Sequence, residues 1–246
     1  MRLETERLRL WRNILSGVLR LEVAKMTTPN KRLIIIDGMP GSGKTTCASS
    51  VAELLTSRGV ASRCILELEE NHPLFIRGYE FTSLADEDQA ELFTTQLEAV
   101  FRRFVEERLG SGDEVTVIES VLFQDAISCA HHMGMPLTKL VMLTTSLQEI
   151  LAALNPVLIY FYQLDVEAQW RFICSVRGNE WGPVSLHTDE DFREAAALWG
   201  GSQAFVRSVV DAWDIPKLVI VNKDHRWAEY TERVGRFVEE QAVKVY

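Results

Sequence analysis

Residues 33–50 read LIIIDGMPGSGKTTCASS, a greasy run followed by a glycine-rich loop and the opening of a helix. Within it, residues 38–45 spell G-x-x-x-x-G-K-T, the pattern of a phosphate-binding loop, or P-loop. Gly38, Gly41 and Gly43 free the backbone from side-chain crowding, so that its amides converge on a β-phosphate while the helix start adds its positive end. Lys44 is expected to bridge the β- and γ-phosphates and the Thr45 hydroxyl to bind Mg²⁺, with Ser42 and Thr46 completing the nucleotide cradle. A chance glycine turn would not bring a strand directly before it and a helix directly after. The motif implies ATP and Mg²⁺ and is silent about what receives the phosphate.

Outward from the loop, 246 residues suit one large α/β domain or a domain with an appendage. The net charge of −9 argues against a general nucleic-acid binder, which needs a basic face to displace counterions. No apolar run is read as long enough to cross a bilayer, which needs roughly 18 residues. Cys47, Cys64, Cys129 and Cys174 lie far apart with no C-x-x-C pair, as fits free thiols in a reducing cytoplasm. Residues 1–25 differ from the rest. Leu8, Trp11, Leu15, Val18 and Leu19 recur at helical spacing with arginines between them, while Glu4, Glu6 and Glu22 argue against a transit peptide and Arg12 and Asn13 interrupt any secretory core. We read 1–25 as an N-terminal helical extension without chemistry and 26–246 as the domain.

After residue 30, short apolar strands alternate with longer amphipathic stretches, the signature of a parallel sheet covered on both faces. Strands are expected at about 32–37, 62–68, 115–119, 157–162 and 217–221. Helices are expected at about 44–58, 85–109, 124–132, 138–154, 165–177, 189–212 and 226–242. Glu119 ends the third strand, where a carboxylate can orient Mg²⁺ or its water, although a glutamate there could equally be a surface residue. The adjacent His131 and His132 diverge by about 100 degrees on a helix and are poorly placed to share a metal. Trp181, Trp199 and Trp213 suit packing better than ring stacking on a ligand.

With these features the chain resembles the deoxynucleoside kinases and their thymidylate-kinase-like relatives across nearly all of 32–242, though outside the P-loop each motif is short. The resemblance implies a P-loop NTPase fold: a five-stranded parallel sheet, order 2-3-1-4-5, sandwiched by helices, with a helical lid. It implies a general base after the second strand, within ILELEENHP. Glu69 is the choice, at the strand's mouth, with Glu67 and Glu70 as alternates; three glutamates on a solvated edge are the plain alternative. After the third strand the family's Glu-Arg-Ser is replaced by Glu119-Ser120-Val121, so the arginine that grips the acceptor is missing. Asp125 matches an aspartate lining the base pocket in some nucleoside kinases, or else caps a helix near 126. Gln96, in Phe93-x-x-Gln96, matches a glutamine that hydrogen-bonds the base, while Phe93 sits in an ordinary apolar stripe. Arg171, Arg177 and Glu180 form an Arg-x₅-Arg-x₂-Glu frame like the family's lid, whose arginines clamp the transferring phosphoryl group. Asn222-Lys223-Asp224 lies where relatives hold the donor adenine.

The function expected from these residues is transfer of the γ-phosphate of ATP to a hydroxyl of a nucleoside or nucleoside-like small molecule. Glu69, Lys44, Arg171 and Arg177 would be catalytic, Thr45 and Glu119 would hold the metal, and Gln96, Asp125 and Glu180 would bind substrate. The first alternative is phosphorylation of an antibiotic or other hydroxylated natural product, which Ser120 and the altered lid favour. An alternative of another class is a nucleotide-dependent switch or ATPase without a small-molecule acceptor. Neither nucleic acid nor membrane is an expected partner, and the sequence leaves open whether the chain pairs into a homodimer.

Overall fold

The computed structural model describes residues 31–181 and 184–243, so the expected helix over 1–25 lies outside the described residues. Strand β1 (Arg32–Gly38) is followed by helix α1 (Lys44–Ser57), β2 (Ser62–Ile65), α2 (Glu87–Leu109) and β3 (Val115–Glu119). A π-helical segment, Val121–Ser128, leads into the short α3 (Cys129–His132), α4 (Leu137–Leu151) and β4 (Pro156–Gln163). Then come α5 (Val166–Arg177), a hairpin of β5 (Glu180–Trp181) and β6 (Val184–Ser185), α6 (Asp189–Ala212), β7 (Lys217–Asn222) and α7 (Trp227–Val238).

The main sheet has five strands in the order β2-β3-β1-β4-β7, all parallel. This is the expected 2-3-1-4-5, because the small antiparallel hairpin intervenes before the fifth sheet strand. β1, β3 and β4 are central strands and read as near-continuous apolar runs, as burial on both faces requires. Chain order reverses at β1, so the crevice beyond its carboxyl end is where an open α/β sheet offers a site.

Alternate residues of the central strands feed two cores. Leu33, Ile35, Ile118, Leu158 and Tyr160 face α2, α4 and the π-helical segment. Ile34, Ile36, Val117, Val157 and Ile159 face α1 and α7. A third, smaller cluster joins Met39 of the P-loop to Trp170, Ile173 and Cys174 of α5 and to Leu186 and Phe192.

Local sequence explains the helix starts. Asp86 caps α2 by accepting from Gln89 N at 3.0 Å, Asp165 caps α5 by accepting from Ala168 N at 2.9 Å, and Thr188 with Asp191 forms a capping box on α6. One expectation needs correction. The stretch Leu137–Leu154 does reach the length and hydropathy of a membrane span, at a mean hydropathy of 1.3. Its Leu140, Leu143, Leu147, Ile150 and Leu151 are buried in the first core, which makes it a core helix of this domain. The helix expected over 124–132 begins earlier, at Val121, and runs mostly as π-helix.

Candidate active site

The P-loop turns between β1 and α1 with Gly41 at φ 70° and Gly43 at φ 92°, both in the left-handed region that side chains disfavour. Both glycines are also covered. A Cβ on Gly41 would overlap Ile173 of α5, and one on Gly43 would come within 2.7 Å of the Trp227 ring. Gln169 of α5 donates from Nε2 to Gly41 O at 3.0 Å, so the lid helix lies directly on the loop. Ser42 is fully buried and its Oγ has no partner, an orphaned donor of the kind that a bound phosphate satisfies.

Lys44 is 4% exposed and donates to Met39 O at 3.0 Å and to Gln124 Oε1 at 2.7 Å. Burial pulls its ammonium below the usual lysine range, and the carboxylates of Asp37, Glu67, Glu119 and Asp125 oppose that shift. Thr45 Oγ1 donates to Glu119 Oε1 at 2.6 Å, and Glu119 Oε2 accepts from Glu67 N at 3.1 Å. Thr45, at the start of α1, and Glu119, at the end of β3, therefore stand together. Among the described residues no group of three or more His, Cys, Asp or Glu gathers as a metal site. An ion held by Thr45 and Glu119 would complete its shell with phosphate oxygens and water, the usual arrangement for Mg²⁺.

The carboxylates after β2 differ in their surroundings. Glu69 forms an ion pair with Arg63, whereas the charge of Glu67 bears on both Lys44 and Asp125. Sequence order favoured Glu69 as the residue at the strand's mouth. The turn that closes with Glu69 N donating to Leu66 O instead leaves Glu67 beside Glu119.

Asp125 lies within the π-helical segment, not at its cap. The segment is entered through Ser120, a non-glycine residue at φ 69°, and Asp125 N donates back to Ser120 O at 3.2 Å. Asp125 Oδ1 accepts from Gln124 Nε2 at 3.0 Å, and its Oδ2 is buried without a partner. Burial first, and then the charge of Glu67, push its carboxyl up to about 7. It enters a cavity of about 350 Å³ whose walls include Leu74, Phe75, Tyr79, Phe81 and Phe93. Gln96 is half-buried one helical turn along α2 and is not among the residues lining that cavity.

Sequence reasoning missed two residues. Asp37, at the end of β1, is fully buried and accepts from Gly38 N at 2.7 Å, Phe123 N at 2.8 Å and Gln124 N at 3.1 Å. Burial pushes it up to about 8. Its signal was present as an acid ending an otherwise apolar strand. Gln124, which spans from Lys44 to Asp125, had no signal in the sequence.

The lid arginines are not brought together over the loop. Gln169 and Ile173 define the face of α5 that meets Gly41, and at 100° per residue Arg171 points to the opposite side. There it bonds Glu167 and Asp189 at 2.7 and 2.9 Å and lies 4.5 Å from the Phe192 ring. Arg177, one turn beyond Ile173 on the loop-facing side, is exposed and lies 5.3 Å from the Trp181 ring. Glu180 is 75% exposed and pairs with His187.

The loop after β7 folds back on Asn222, whose Oδ1 accepts from His225 N at 3.1 Å. It stacks His225 on Phe172 of α5 at 4.4 Å. The tryptophans serve packing, as expected. Trp181 and Trp199 ring Trp170 at 6.0 and 5.7 Å, and Trp213 meets Phe123 edge-on at 6.4 Å. His132 Nε2 hydrogen-bonds Ser202 Oγ at 3.0 Å.

No protein-family model matches the sequence, and no curated protein is significantly similar to it. Among solved structures, the chain is similar to a thymidylate kinase from Ehrlichia chaffeensis, at 12% identity over 86% of this chain and 98% of that one, with a TM-score of 0.46. It is also similar to a thymidylate kinase from Candida albicans, at 15% identity over 85% of this chain and 92% of that one, with a TM-score of 0.49.

Proposed function

We propose that the chain is a kinase that transfers the γ-phosphoryl group of ATP to a hydroxyl of a nucleoside-like small molecule. The observation that carries the proposal is the coincidence at one crevice of a P-loop lysine, a free carboxylate and a separate apolar cavity. Lys44 and the orphaned Ser42 Oγ mark the donor side, and Glu67 bears both on Lys44 and on Asp125, which enters the cavity. A switch or motor ATPase has no need of that cavity.

In the proposed reaction the acceptor oxygen forms a bond to the γ-phosphorus as the bond from that phosphorus to the β,γ-bridging oxygen breaks. Glu67 takes the hydroxyl proton and later returns it to solvent, leaving ADP and a phosphate monoester. Glu69, paired with Arg63, is the weaker candidate for base. Lys44 exchanges Gln124 for phosphate oxygens, and Thr45 with Glu119 would hold Mg²⁺, which neutralises developing charge on the phosphates. Arg177 can reach the phosphates only if α5 and its hairpin close further. Arg171 serves the lid by joining α5 to the start of α6. The nucleotide base is assigned to the side of the loop bounded by Phe172, His225 and Trp227. A cytoplasmic location belongs to the same proposal, supported by the free thiols of Cys47, Cys64, Cys129 and Cys174.

The test is acceptor-dependent ADP release across a panel of nucleosides and hydroxylated natural products. Glu67→Gln should lower turnover by on the order of 10²–10⁴ while ADP affinity persists, and Glu69→Gln should have a much smaller effect. ATP hydrolysis that no acceptor stimulates would place the chain among switches. Full turnover in Glu67→Gln would remove the assigned base.

A further inference from the structure

The cavity beyond Glu67 carries a charge pattern that speaks to what it holds. Its walls are aromatic: Phe81 meets Phe93 edge-on at 5.2 Å and stacks with Tyr79 at 6.2 Å. Asp125 is the one charged side chain among the described residues that line it, and its Oδ2 is buried with no partner. The charges of Glu67 and Glu119 fall on Asp125 as well, so three acids converge there.

Lys44 opposes them from the donor side. No Lys, Arg or His is among the described lining residues. Neighbouring cations are committed elsewhere: Arg63 to Glu69, Arg77 to Asn71 Oδ1 at 2.7 Å, and Arg102 to Glu98 at 3.7 Å. Lys44 is directed to Gln124 and Met39. The position just after Glu119, where a phosphate-gripping arginine could stand, is Ser120, a buried residue whose hydroxyl faces Glu119 Oε1 at 3.4 Å.

A phosphate in this cavity would meet like charge on one side and hydrocarbon on the other. An ammonium would meet an unpartnered carboxylate oxygen and the faces of several rings, the arrangement that retains organic cations. We propose that the acceptor is a hydroxylated organic cation with an apolar or aromatic body. Its ammonium meets the free oxygen of Asp125 against the aromatic walls, and its hydroxyl turns toward Glu67 and the P-loop. This presupposes the phosphoryl transfer proposed for the same site and narrows its acceptor to phosphate-free amines.

The experiment uses the full chain with ATP and Mg²⁺ and reads ADP release with a matched series of aromatic amino alcohols. Each amine is compared with its N-acetyl counterpart, and thymidine with thymidine monophosphate. The amines should exceed their neutral counterparts by about tenfold or more in kcat/KM, and thymidine monophosphate should be the poorest acceptor. Asp125→Asn should abolish the preference for amines while its thermal midpoint and ADP affinity show that the fold and donor side persist. A neutral or phosphorylated compound as best acceptor overturns the proposal, and so does an amine preference that survives Asp125→Asn. ADP binding without stimulation by any compound of any charge would instead remove the phosphoryl-transfer assignment itself.

Discussion

At the scale of single residues, the site is organised by carboxyl groups whose protons are held by burial. Asp37 and Asp125 have values raised from 3.8 to about 8 and about 7, with burial as the leading cause in both. The native chain therefore keeps protons that the unfolded chain has released, and stability falls as pH rises through those values. His72 and His132 act in the opposite sense. Burial lowers both from 6.5 to about 4, so between those pH values the unfolded histidines bind protons that the native ones refuse. The two effects offset each other below pH 6.5, and only the carboxyls remain above it. Urea unfolding should accordingly show a nearly flat stability between about pH 4 and 6.5 and a decline from there to about pH 8. Asp125→Asn, which cannot titrate, should flatten part of that decline, and stability rising across the same window would contradict the assignment. Asp37 also shows what only three dimensions reveal. It takes amide hydrogen bonds from Phe123 and Gln124 and so fixes the segment that delivers Gln124 to Lys44, across a separation in sequence of 80 residues.

At the scale of elements, the decisive contact is α5 on the P-loop. Gly41 stands at φ 70° beneath Ile173, and Gly78 stands at φ 77° with nothing within 4 Å of an added Cβ. Both lose the same backbone freedom when replaced by alanine, a cost of about 1–3 kcal/mol, but only Gly41→Ala displaces the lid. Calorimetric titration with ADP should show Gly41→Ala weakened by about tenfold or more, a loss of roughly 1.4 kcal/mol, with Gly78→Ala near wild type. Ile173→Ala added to Gly41→Ala should recover part of the loss, and no recovery would mean that the methyl acts through the loop's own backbone. The same elements mark how far the sequence was legible. The strand–loop–helix at residues 33–50 and the parallel sheet followed from apolar runs and glycine spacing, because local pattern dictates both. The hairpin at Glu180–Trp181 and Val184–Ser185 escaped notice because its strands are two residues each. The orientation of Arg171 escaped because spacing along a helix fixes which residues share a face but not which neighbour that face meets. The exit from β2 turns at Leu66, and a turn of this kind, which spacing alone does not reveal, gives Glu67 and Glu69 different surroundings.

At the scale of the whole molecule, the three clusters differ in size and in what they serve. Two large cores sandwich the sheet, and the third gathers the lid around Trp170 and includes Met39 of the loop itself. A small cluster opens locally at less free energy than the global core, so the lid should open while the sheet stays closed. Under the proposed function a triphosphate would enter beneath Gln169 and Ile173, and the substructure that would move is the one with the least buried hydrocarbon. Hydrogen exchange should therefore be faster for amides of α5 than for those of β1. Trp170→Ala removes a ring that is 2% exposed at the centre of the lid and should speed exchange in α5 while leaving β1 nearly unchanged. Phe101→Ala empties a fully buried position in the first core and should lower global stability by about 3–5 kcal/mol, raising exchange in β1 as well as in α5. Equal acceleration of β1 and α5 by Trp170→Ala would mean that lid and sheet unfold as one unit, and nucleotide entry would then need a route that leaves α5 in place.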